Sequence, residues 1–338
     1  MTVVANTPDF RIMLDGADLS PKIRPRLVSL SISSKRDDAD QLDLVLDDTD
    51  GKLALPATGK LLTVSIGWKD GPDVTIGLVS KGSFKVDQVS YSGPPDIVTI
   101  RARSADFTQA SELRTRKAHA WTDTTLGAVL GEIAQRNGLQ LKISADLSAV
   151  AIPSVHQSRE SDMALARRLG REHDAVATVK AGKLIFNPAG SSSTPAGKSM
   201  PAITLRKRDC GPFTYDVAER EAVTGVTAAY HDRDAAKQAT VTEGKASGAK
   251  RLSRVYATKS SAQRAAKAAK SRAARAPASM DLTAALGRAD IMPEAQVTVS
   301  GFKAEIDATS WIASEVTQSI TAQGAGFTTQ IKLESAPK

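Results

Sequence analysis

The residues of this chain best suited to chemistry are ten cations gathered in one segment. Between Gly244 and Met280 lie Lys245, Lys250, Arg251, Arg254, Lys259, Arg264, Lys267, Lys270, Arg272 and Arg275, with no aspartate or glutamate among them. Such a run can neutralise phosphates, each contact adding salt-dependent affinity. It also sets the sign of the whole chain: the formal net charge is +8, yet outside this segment 35 basic residues face 37 acidic ones, a net of −2. The basicity belongs to one element. No aromatic residue lies between Ala257 and Ser279, so bases have nothing to stack on there. Arg264, Lys267, Lys270, Arg272 and Arg275 are therefore candidate contacts to phosphate or to an acidic protein partner, with a solvated face as the plain alternative.

Other chemistry is thin. His119, His156, His173 and His231 are scattered, without the spacing of a metal-binding helix. Asp37-Asp38-Asp40 and Asp47-Asp48-Asp50 are acidic clusters, but the second lacks the glycine at position six and the glutamate at position twelve of a calcium loop. Both read as solvated turns. Neither a phosphate-binding loop nor a dinucleotide fingerprint occurs. The single cysteine, Cys210, cannot form an internal disulfide and is expected to be a buried, inert thiol. No catalytic residue, cofactor or metal site is expected. No apolar run approaches the roughly 20 residues of a membrane span, and no signal segment opens the chain, so synthesis in the cytoplasm is expected.

The elements that carry these residues are mostly strands. Leu42, Leu44 and Leu46 alternate with Asp43 and Asp47; Leu62, Val64 and Ile66 alternate with Thr63 and Ser65. Phe84 and Val86, then Val98 and Ile100, repeat the pattern, with turns at Asp50-Gly51, Pro56 with Gly59, Asp70-Gly71-Pro72 and Gly93-Pro94-Pro95-Asp96. Short strands at this spacing predict a barrel or sandwich. After Trp121 the period changes. Asp123 or Thr124 can cap a helix carrying Leu126, Val129, Leu130, Ile133 and Ala134, which Gly138 stops. A strand over Leu139–Ile143, a helix from near Ser161, and a hairpin of Val176–Val179 with Leu184–Phe186 complete a small α/β unit. Residues 189–199 read as a linker. Beyond it, strands are predicted at Val223–Tyr230, Val297–Phe302, Trp311–Ile320 and Phe327–Leu333. Between them a helix over Ser260–Ala276 places Ala262, Ala265, Ala266, Ala269, Ala273 and Ala276 on one stripe, and Pro277 ends it.

The segment Ser83–Ser90 echoes Ser310–Thr317, each preceding a turn and a last alternating strand. The fold class expected is α+β, mainly β.

Gly82–Val89, then Ser92–Asp106 with its Gly-Pro-Pro turn, resemble the late control gene D family of phage tail proteins, the baseplate hubs of contractile tails. The resemblance extends through Asp40–Asp47, Ile66-Gly67-Trp68, Trp121–Gly127, Gln157 with Glu160-Ser161-Asp162, Arg168-Leu169 with Glu172, Val255-Tyr256-Ala257 and Gly326–Glu334. It implies two tube-type β-barrel domains, 1–116 and 201–338, the second including helix 260–276. An α/β domain, 117–188, is inserted between them, followed by a linker or loop, 189–200. It further implies a homotrimer, a ring joining a hexameric tail tube to a trimeric central spike. Wedge and tape-measure proteins are further partners in view. Nucleic acid would meet the ring only by passage through its channel. The location implied is the tail baseplate of the virion. Some related hubs carry a fused spike or lysozyme domain, and no segment through Lys338 is expected to form either. The rhythm Thr125-Leu126, Ile133-Ala134, Gly138-Leu139 also resembles the first half of a LysM module, whose second half is not matched. Wall binding or cleavage, and nucleic-acid binding by the basic helix, stand as alternative functions.

Overall fold

Alternation governs the first strand set, where Leu42, Leu44 and Leu46 all turn inward and are buried. The computed structural model describes residues 5–36, 38–104, 111–180, 182–191, 203–217, 224–232, 235–274, 278–322 and 326–336. Its first strands are β1 (Thr7–Leu14), β2 (Ala17–Asp18), β3 (Leu27–Lys35), β4 (Gln41–Asp47), β5 (Leu61–Asp70), β6 (Gly77–Ser92) and β7 (Ile97–Ser104). Then come β8 (Arg116–Thr125), β9 (Gln140–Ile143), β10 (Ala151–Ser161), β11 (Ala175–Lys180) and β12 (Lys183–Pro188). The remainder are β13 (Ile203–Arg206), β14 (Cys210–Val217), β15 (Gly225–Asp232), β16 (Lys237–Gly244), β17 (Lys250–Tyr256), β18 (Ala278–Ala284), β19 (Gln296–Ser300), β20 (Trp311–Thr321) and β21 (Phe327–Ser335).

One sheet runs through both ends of the chain, in the order β14-β18-β21-β20-β3-β4-β7-β6-β5-β1-β2, with β19 also on β20 and β13 on β19. This is an open path, and among the described residues no barrel closes. Its central seam is β3 against β20, antiparallel, from Ser29 opposite Thr321 to Lys35 opposite Glu315. Ile320 and Phe327 from the C-terminal part join Leu30, Trp68 and Phe84 in the first core. Met280, Trp311, Val316 and Leu333 centre a second core.

The same strand order occurs twice. In the first set β3 pairs β4, β4 pairs β7, β7 pairs β6, and β6 pairs β5. In the second, β14 pairs β18, β18 pairs β21, β21 pairs β20, and β20 pairs β19, all antiparallel as before. The outermost strands differ: β1 runs antiparallel to β5, but β13 runs parallel to β19. Irregularities recur as well. A bulge separates Val86 from Gln88 on β6 and Ala313 from Glu315 on β20, the positions that the echo between Ser83–Ser90 and Ser310–Thr317 equates. A second bulge follows Leu27 on β3 and Cys210 on β14. Gly59 (φ +88°) donates its backbone N–H to Val86, while Glu294 (φ +69°) donates to Ala313. Bulges re-aim a strand at chosen places, so their coincidence marks one design used twice.

The α/β unit has the elements expected, with one changed boundary. Thr125, not Asp123 or Thr124, caps the helix Leu126–Arg136, its Oγ1 accepting from the Ala128 amide at 3.2 Å. Asp123 is left-handed at φ 47° and Thr124 is paired to Ile152, so neither has cap geometry. Ser161 caps the helix Asp162–His173. Behind them stand a β8–β10 ribbon, unread in the sequence, and a β11-β12-β9 sheet.

Between β14 and β18 a three-stranded sheet, β16-β15-β17, carries the long helix Lys259–Ala274. Ala262 and Ala266 are buried on Val226 and Ala228. The stripe turns from the one expected: Ala268 is buried and Ala273 exposed, and the helix meets the helix Asp162–His173 as well as its own sheet. Ala276, Pro277 and most of the expected linker lie outside the described residues. Among the described residues, no helix is long and apolar enough to cross a membrane.

Candidate functional site

The long helix does not present its cations as one face. It packs on β15 and β16 and also meets the helix Asp162–His173. Arg264 turns toward this second helix, where burial lowers its pKa and Glu172 partly offsets that. Arg272 donates from Nη1 to the Arg171 carbonyl. Lys270 is half-buried and Lys267 is exposed. Arg275 lies outside the described residues. The four described candidates therefore diverge, two of them toward the α/β unit.

A cleft of about 700 Å³ lies at that junction, lined by His156, Arg168, Glu172, Arg254, Tyr256 and Arg264. Its carboxylates are already held. Arg254 pairs with Glu172 at 2.8 Å, and Arg168 with Glu160 at 2.6 Å. Burial, then Arg264, pushes the His173 pKa down to about 4, so its ring is neutral near pH 7. A neutral, enclosed histidine beside saturated carboxylates is a poor acid–base centre. The cleft is a glued junction.

The remaining candidates are structural. Arg26 grips Asp50 with two hydrogen bonds of 2.6 Å, and the Leu53 amide donates to Asp48 at 2.8 Å. Asp37 lies outside the described residues, and Asp38 accepts from the Ala39 amide. The Cys210 thiol is only partly buried; its Sγ donates to Arg206 O at 3.3 Å, and desolvation raises its pKa. Among the described residues no cluster of three or more histidine, cysteine, aspartate or glutamate side chains could hold a metal ion.

What sequence reasoning missed is the seam. Trp68 Nε1 donates to Gly287 O at 2.8 Å, and Lys81 Nζ to Ala289 O at 2.6 Å. Arg36 holds Glu294 and, at 2.9 Å, Glu334. The fully buried Asp162 plays a similar part in the α/β unit, accepting from Asn137 Nδ2 at 2.8 Å and Gln157 Nε2 at 2.9 Å. Only the short run Glu160-Ser161-Asp162 hinted at it. Besides the outer sides of the short strands β2 and β13, two longer stretches of the main sheet lack a partner on one side among the described residues. One is Gln88–Ser92 of β6, past the end of its pairing with β5; the other is the outer side of β14.

Buried chemistry spent on joining strand sets, with strand edges left open, is the make-up of an assembly part. A profile of the phage tail baseplate hub (GPD) family matches residues 40–324. The chain belongs to that family. A "Probable baseplate hub protein" of Escherichia phage 186 is 38% identical over 379 residues, covering 99% of this chain and 95% of that protein. Among solved structures, the 43 kDa tail protein of prophage MuSo2 from Shewanella oneidensis aligns with a TM-score of 0.68 at 13% identity, covering 97% of this chain and 98% of its own. An E. coli component of the type VI secretion system, described as structurally similar to T4 bacteriophage tail proteins, aligns with a TM-score of 0.59 at 11% identity, covering 97% and 76%. At those identities the structures speak for the fold alone. Baseplate hub proteins are structural components of the virion tail and not enzymes, and this chain is a hub of that kind.

Proposed function

We propose that three copies of this hub form a ring that joins a hexameric tail tube to a trimeric central spike. One observation carries the reading: a single strand order used twice in one chain. Two like strand sets per copy provide six like positions in three copies, and a ring of that kind can meet a sixfold partner on one face and a threefold partner on the other. On this reading residues 1–116 and 201–338 are two tube-type β-barrel domains, 117–188 an inserted α/β domain and 189–200 a linker. The tail tube and spike proteins are its main partners, with wedge or tape-measure proteins beside them. Nucleic acid meets the ring only in passage. Lys267, an outward cation of the long helix, is assigned to an acidic protein partner. Arg264 and Arg272 serve the internal junction instead.

Size-exclusion chromatography with light scattering tests the reading, together with co-purification with tail-tube and spike proteins. The expected mass is about three times the 35.6 kDa of one chain. A monomer that retains neither partner would overturn it.

A further inference from the structure

The internal seam has an unfilled counterpart. The coincident bulges equate Gln88–Ser92 of β6 with Glu315–Ser319 of β20, and Phe213–Val217 of β14 with Leu30–Ser34 of β3. Within the chain, β20 and β3 are paired to each other over these residues. Their equivalents, β6 and β14, stand far apart in the sheet order, each with one open side.

Exposure follows the same division. Leu30 is 0% exposed, and its equivalent Phe213 is 41%. Gln318 is 3% exposed, and its equivalent Tyr91 is 53%. Val217, at the place of the half-covered Ser34, is 62% exposed. Ser90, Ser92, Thr214 and Asp216 are all exposed, while Thr317, Ser319, Ser31 and Ser33 are partly covered. Three large apolar side chains thus lie bare on two unpaired strand edges, an arrangement that soluble proteins avoid unless the edges are used.

We propose that the outer edge of β14 pairs antiparallel with Gln88–Ser92 of β6 in a neighbouring copy of this chain, in the register of the internal β3–β20 seam. The proposal rests on the ring reading above and supplies its contact. Transferring the observed register sets Val217 opposite Val89, Asp216 opposite Ser90, Tyr215 opposite Tyr91 and Thr214 opposite Ser92 of the neighbour. The contact is head-to-tail, and it repeats the rotation already present between the two strand sets. Three such contacts alternating with three internal seams make six like steps, which close into a ring when each step turns by one sixth of a circle without rise.

The test uses the full-length chain with Cys210→Ser as background. Ser90→Cys and Asp216→Cys are introduced together, both at exposed strand positions. Ser90→Cys with Thr214→Cys, two residues out of register, is the control. Mild oxidation is followed by non-reducing electrophoresis, and light scattering gives the mass before oxidation. The expected result is a trimer that the first pair converts to covalently linked trimer and the control does not. A trimer that fails to cross-link through Ser90→Cys/Asp216→Cys, or links better through the control, overturns the pairing and leaves the ring standing. A monomer at every concentration overturns both. Val217→Arg is the second variant: with its far-UV circular dichroism unchanged, its mass should fall to that of one chain, and an unaltered trimer would refute the contact.

Discussion

Trp68 Nε1 donates to the carbonyl oxygen of Gly287 at 2.8 Å, across 219 residues of chain. The indole also lies 5.3 Å from the Phe327 ring, so a turn of the second strand set seals the core of the first. Both partners of the bond are buried, and removing the donor takes away the hydrogen bond that satisfies this carbonyl. Trp68→Phe keeps most of the ring and is expected to cost about 1–3 kcal/mol. Urea unfolding of the purified protein measures this.

Close backbone approach sets a second expectation. A Cβ on Gly67 would lie 1.9 Å from Gly77 O, on the paired strand, where nothing flexible can yield. Gly67→Ala should therefore lose about 1–3 kcal/mol or more. Gly131 makes the contrast: it sits within the helix Leu126–Arg136, and an added Cβ meets only Leu141 Cδ2 at 3.9 Å. Gly131→Ala should gain about 0.5–1 kcal/mol, since alanine loses less freedom on entering a helix. Paired thermal melts separate the two.

Two buried bases make stability depend on pH. Burial pushes Lys81 from 10.5 down to about 8, against the pull of Asp40 and Asp290. Between those values the unfolded chain holds a proton the folded one has released, so stability rises with pH across that window. His173 is lowered from 6.5 to about 4, first by burial and then by Arg264, so stability also rises from about pH 4 to 6.5. Lys81→Met should flatten the alkaline rise and His173→Gln the acidic one. Denaturant midpoints across pH 4–10 report each slope separately.

The long helix yields a sorted pair. Ala266 is fully buried on β15, so Ala266→Leu forces extra carbon into a filled contact and should cost about 1–3 kcal/mol. Lys267 faces outward, and Lys267→Gln should stay within about 0.5 kcal/mol of the parent. Chemical unfolding of both variants checks the assignment of faces.

Much of the strand content was legible because one face of each strand is dry. Leu42, Leu44 and Leu46 announce β4, and Phe327 through Leu333 announce β21, by alternation alone. The β8–β10 ribbon escaped notice because most of its side chains are exposed and its burial has no steady period. The seam was beyond sequence reading for another reason. Ser29–Lys35 and Glu315–Thr321 are joined by a backbone ladder, which carries no side-chain signature, and the Lys35–Glu315 ion pair across it cannot be read from spacing along the chain. Composition marked the basic run but not its fate, since whether Arg264 or Lys267 faces outward depends on which helix turn meets Asp162–His173.

Rotational averaging of electron micrographs of the purified hub tests the central claim most directly. Three chains that each supply two like strand sets should give a closed ring with threefold symmetry and six evenly spaced lobes around its channel. A compact particle without rotational symmetry, or a closed ring of any other copy number, would contradict it.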